Sequence, residues 1–141
     1  MSPTVHPIEH VLLPHLKRMG ADATLTVESN GFSPDVVGKA IIEVKALKQP
    51  LAPFELTERG GELLHIDVYV ATTQGKATIE FQEKFKPLLL DYLKDYKVIF
   101  HEDEPSKLPE KSRSEVIALS AVLRYPKDTM LHSSILVEGS N

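Results

Sequence analysis

Apolar residues recur every three or four positions from Ile8 to Met19, so that Ile8, Val11, Leu12, Leu16 and Met19 fall on one face of a helix. Pro7 suits the first helical turn and Gly20 suits a left-handed stop after Met19. Pro14 is out of place in mid-helix. It has no N–H to give the carbonyl of His10, so a kink is expected there. From Asp22 to Glu28 the period changes to two, with Ala23, Leu25 and Val27 on one side. Lys39 to Leu47 repeats that alternation, predicting Ala40, Ile42, Val44 and Ala46 inward and an antiparallel pair joined through Asn30 to Gly38. Gln49 to Pro53 carries two prolines and reads as a connector.

Leu64, Ile66, Val68 and Val70 alternate with His65, Asp67, Tyr69 and Ala71 in a third strand that stops at Thr72 to Gly75. The next stretch has a helical stripe of Phe81, Phe85, Leu88, Leu89, Tyr92 and Tyr96, interrupted by Pro87. Residues 76–86 stay open between helix and strand on pattern alone, with a short helix from Pro87 to Asp95 as the minimum. Lys97 to His101 reads as a short strand and 102–114 as a polar loop. Val116 to Tyr125 is apolar on both faces, which predicts a central strand, and Met130 to Val137 pairs with it through a turn at Pro126 to Thr129. The expected fold is α+β, with two helices packed on an approximately six-stranded, mostly antiparallel sheet.

The 141 residues suit one domain spanning 1–141, and an apolar fraction of 42% with 26% charged residues is ordinary for a globular chain. No run is long enough to cross a bilayer and the N-terminus has no secretion-signal layout, so an intracellular location, cytoplasmic or nuclear, is expected without membrane association. With no cysteine, chemistry falls to His, carboxylates, Lys, Arg, Ser, Thr and Tyr. The net charge of −4 repels a nucleic-acid backbone. RNA binding would need a local patch, for which Lys39, Lys45 and Lys48 or Lys107, Lys111 and Arg113 are the candidates.

His6-Pro7-Ile8-Glu9-His10 has the spacing H-x-x-E-H that can hold zinc on a helix face. Pro7 biases His6 toward an extended backbone, which would keep the two imidazoles from converging. No metal and no cofactor is expected. His65, Asp67 and Tyr69 share the polar face of the third strand and, with His10, form a candidate acid–base set. Gly31 to Gly38 reads as a hairpin turn, since the β-branched Val36 and Val37 resist the conformations a phosphate cradle needs.

Three punctuated segments occur in order: Pro14-His15-Leu16-Lys17-Arg18-Met19-Gly20, Gly31-Phe32-Ser33-Pro34 leading to Gly38, and Leu56-Thr57-Glu58-Arg59-Gly60. With Ser2-Pro3 and Ile8-Glu9-His10-Val11-Leu12-Leu13-Pro14 before them, they resemble the RNA 3′-terminal phosphate cyclase family. The resemblance is best over 1–61; residues 62–141 are similar to the family's small inserted domain. It favours a long helix from Lys76 kinked at Pro87, and it implies binding positions at Pro3, Arg59 and Gly60. Family members use ATP, through an adenylated histidine, to convert an RNA 3′-phosphate into a 2′,3′-cyclic phosphate. The histidine segment has no counterpart here, and Val36 and Val37 replace two of the family's three glycines.

Two expectations follow. The first is a truncated, non-catalytic cyclase-like module for binding or assembly, linked to RNA processing, whose open core is covered by a second copy or a protein partner. The alternative is a small-molecule isomerase or dehydratase using His65, Asp67, Tyr69 and His10.

Overall fold

The fold is organised around the strand with two apolar faces. In the computed structural model, which describes residues 4–32, 36–57, 60–108 and 115–139, that strand is β5 (Glu115–Arg124), and it lies inside a four-stranded sheet. Its neighbours are β3 (His65–Thr72) on one side and β6 (Met130–Gly139) on the other, both antiparallel; β4 (Val98–Glu102) runs parallel to β3 and completes the order β4-β3-β5-β6. A separate antiparallel pair is formed by β1 (Ala23–Ser29) and β2 (Lys39–Val44). The chain is thus α+β with six strands, divided between two sheets, and the pairings are mostly antiparallel.

Alternation along β3 divides the core into two layers. Ile66, Val68 and Val70 point to one face, where Ala77 and Phe81 of α2 (76–92) cover them. Tyr69 points to the other, where Val11 of α1 (6–18) packs beside Val122 and Met130. One helix therefore lies on each face of the larger sheet. Residues 76–86 are helical, as the family resemblance favoured. The parallel β3–β4 pair needs a crossover, and α2 supplies it.

Both mid-helix prolines are accommodated by one local device. The turn Ile8–Leu12 is π-helical, with the Leu13 N–H donating to the Ile8 carbonyl, and Pro14 follows immediately. Phe81–Phe85 repeats the arrangement, with the Lys86 N–H donating to Phe81 ahead of Pro87. Widening the turn absorbs the missing proline donor without breaking the helix.

The second strand departs from expectation. Ala40, Ile42 and Val44 were predicted inward, yet every residue of β2 is exposed, Ile42 at 54% and Val44 at 68%. Alternation places residues on faces, but a two-stranded sheet has too little cover to bury either face of its outer strand. The hairpin end is better anchored: Phe32 and Val36 exchange backbone hydrogen bonds of 2.8 Å, and Phe32 packs against Ala71, Val116 and Ala118. Ser33 to Asp35, between them, lie outside the described residues. Gly31 and Gly38 stand back to back, where a Cβ on Gly31 would meet the Gly38 nitrogen at 2.5 Å. Gly31→Ala should therefore cost about 2 kcal/mol in urea denaturation by forcing the hairpin apart; an unchanged midpoint would contradict that packing.

Candidate functional site

The polar face of β3 is covered rather than solvated. Asp67 and Tyr69 alternate with core residues, so pleating turns them together toward α1. Parallel pairing sets His101 of β4 beside Tyr69, and antiparallel pairing sets Arg124 of β5 opposite His65. Tyr69, 7% exposed, becomes the centre of a ring stack. The His10 ring lies 3.8 Å from it and nearly parallel, the His101 ring at 4.7 Å and the His6 ring at 5.4 Å.

Beside the stack, Arg124 and Asp67 form its charged counterpart. Arg124 Nε donates to Asp67 Oδ2 at 2.7 Å and its Nη2 donates to the Tyr69 hydroxyl at 3.2 Å. Its Nη1 donates to the His10 carbonyl at 3.4 Å. That carbonyl is the one Pro14 leaves without an ordinary helical donor, so the proline and the arginine solve one problem together. The other Asp67 oxygen pairs with His101 Nε2 at 2.9 Å, and His65 Nε2 lies 3.6 Å from Asp67 Oδ2. A second carboxylate fastens the start of the helix: Asp103 Oδ2 accepts from His6 Nε2 at 2.9 Å and from Asn30 at 2.7 Å.

These contacts shift the titration of the groups. Burial, reinforced by His6, Arg124 and His101, lowers the His10 imidazole from 6.5 to about 4. Burial alone would raise both carboxyls. Hydrogen bonds from His101 and Arg124 overcome it at Asp67, and those from His6 and Asn30 overcome it at Asp103, so both are held below the usual carboxylate value. Burial raises the Tyr69 phenol, against the hydrogen bond from Arg124.

A cleft of about 650 Å³ opens next to the stack, between α1, the β1–β2 turn and the end of β4. His10 and Tyr69 line it, with His6, His101 and Asp103; His65 and Asp67 stand behind the lining. The candidate acid–base set is therefore gathered into one cluster but only half of it reaches open space. Four carboxylates line the cleft, on Glu9, Glu28, Asp103 and Glu104, against the single ammonium of Lys107. Glu28 is also paired with Lys39 at 2.6 Å.

Other sequence candidates fall elsewhere. His6 is helical despite Pro7 and does share a face with His10, contrary to the extended backbone expected of it. The rings stack 6.2 Å apart instead of converging on a point, because Asp103 holds one and Tyr69 the other. Gly60 has φ of 78° and abuts the Pro126 carbonyl, where a Cβ would come within 2.7 Å. Pro3 and Arg59 lie outside the described residues, as do Lys111 and Arg113. Lys39 and Lys45 pair with Glu28 and Asp22, which neutralises the patch they were to form. Arg124, the hub of the cluster, was not singled out from the sequence, although it is a lone charge ending the apolar run 116–123.

Two helices on opposite faces of a mixed four-stranded sheet, with a histidine-rich cleft beside the first helix, define an α+β domain built around a covered polar strand face. A family model described as RNA 3′-terminal phosphate cyclase matches residues 1–141, and the chain belongs to that family. No curated protein matches it. Among the described residues no helix is long and apolar enough to cross a membrane.

Proposed function

We propose that this cyclase-family domain serves as a binding and assembly module and does not itself cyclise RNA ends. The observation that carries the reading is the mutual engagement of its polar cluster. Both Asp67 oxygens and every nitrogen of the Arg124 guanidinium are engaged within the protein, tying β3, β4 and β5 to one another and, through the His10 carbonyl, α1 to the sheet. Groups so occupied are positioned for structure. The carboxylate-rich cleft adds an electrostatic argument, since it repels phosphates that a cyclase must hold. The exposed Ile41, Ile42 and Val44 of β2 supply apolar surface for a partner. A role in RNA processing rests on family membership.

The isomerase or dehydratase reading is favoured by one observation, the approach of His10 and Tyr69 at the cleft wall. Their titration works against it. A base of about 4 and a phenol raised above its ordinary value are both poorly matched to proton transfer near neutrality.

Titrating the protein with a 3′-phosphorylated RNA oligonucleotide and ATP, then analysing the RNA ends, tests the proposal. Weak, salt-sensitive binding and an unaltered 3′-phosphate are expected. Accumulation of a 2′,3′-cyclic phosphate above the protein-free control would overturn it.

A further inference from the structure

We infer that β6 is a homodimer interface, across which two copies of the chain join their sheets edge to edge about a two-fold axis centred on Ser133. This names the partner for the assembly role proposed above and rests on that reading. The open strand edges of the fold are not equivalent. β4 has only five residues, β1 carries Glu28 and a bulge between Val27 and Ser29, and β2 carries Lys39 and Glu43. Short length, bulges and charges are the devices that keep edges from pairing. β6 has none of them along most of its length. It pairs with β5 through ten unbroken residues, and its run Met130-Leu131-His132-Ser133-Ser134-Ile135-Leu136-Val137 contains no carboxylate, lysine, arginine or proline. Partial desolvation against the sheet lowers the His132 imidazole, which favours its neutral form although the side chain is exposed. Residues 131–135 are all exposed.

The strand is also complementary to itself. In antiparallel pairing, directly opposed residues share a face of the sheet. A two-fold axis perpendicular to the sheet at Ser133 sets Leu131 opposite Ile135 of the second copy, Met130 opposite Leu136 and His132 opposite Ser134. Leu131 is 43% exposed and Ile135 is 60% exposed, and each covers the other in this register. No like charges face one another along the run. α1 lies on one face of the sheet, where Val11 packs on the cluster that includes Met130 at the start of β6, and residues 131–135 beyond it stay exposed.

The chain has no cysteine, so Ser133→Cys introduces a single thiol at the axis. Mild oxidation of Ser133→Cys should give a disulfide dimer of twice the 15.7 kDa chain mass. It should form at least ~10-fold faster than for Tyr92→Cys, an exposed position at the end of α2 away from both proposed surfaces, because docking raises the effective thiol concentration. Adding Ile135→Lys to Ser133→Cys should remove that advantage, with circular dichroism confirming that the fold is retained. Cross-linking of Ser133→Cys no faster than of Tyr92→Cys, or unaffected by Ile135→Lys, overturns the inference. These readouts involve no nucleotide, so their failure is separable from a finding of cyclase activity.

Discussion

On acidification from pH 6.5 to 4 the protein is expected to lose about 3 kcal/mol of stability through His10, and His10→Phe should abolish most of that loss. Above 6.5 the imidazole is neutral in both the folded and unfolded chain and contributes no pH dependence. Below 6.5 the unfolded chain takes up a proton that the folded site, with its value of about 4, still refuses. Stability therefore falls with pH across this window, at ~1.4 kcal/mol per pH unit at most, and levels off once the folded imidazole is also protonated. The charge is refused because burial disfavours it and because His6, Arg124 and His101 surround it. Phenylalanine keeps the ring stacked on Tyr69 but cannot be protonated. Asp67 and Asp103, held below 3.8, add their own loss only at lower pH, so the two windows are distinguishable. Urea denaturation at pH 7.5 and 4.5 measures the effect, and equal slopes for the two proteins would show that His10 is not the group responsible.

Arg124→Ala is expected to be the most damaging single change at the cluster, at about 3–5 kcal/mol, because it leaves the Asp67 carboxylate buried without its cation. The same substitution removes the donors to Tyr69 and to the His10 carbonyl, so α1 loses its attachment at the proline turn. Combining it with Asp67→Asn should recover part of the loss, since the residual penalty comes mainly from the unpaired charge. Hydrogen exchange would show α1 opening before α2. If Arg124→Ala unfolded at the wild-type urea midpoint, the hub assigned to this residue would be wrong.

Much of this architecture was legible in the pattern of apolar positions. Period two in Leu64 to Ala71 and doubled apolar faces in Val116 to Leu123 identified two strands that lie inside the large sheet, although the burial of Asp67 and Tyr69 on the polar face of β3 comes from α1 docking over it. Pro14 pointed correctly to a disturbed helix, yet its consequence for Arg124 depends on two segments more than 100 residues apart. β2 shows the converse. Its alternation resembles that of a buried strand, but burial also needs a covering layer, which no local pattern reports. The site was half visible for the same reason. His65, Asp67 and Tyr69 announced themselves by sharing a strand face, while His6, His101, Asp103 and Arg124 join them only through strand register and helix docking.

The most direct test of the central claim is intact-mass spectrometry after incubation with ATP and magnesium, with and without 3′-phosphorylated RNA. A module whose His6, His10 and His101 are engaged in the cluster should keep its 15.7 kDa mass in both conditions. A stable mass increase corresponding to one adenylate on a histidine would contradict the account and restore nucleotidyl transfer to this domain.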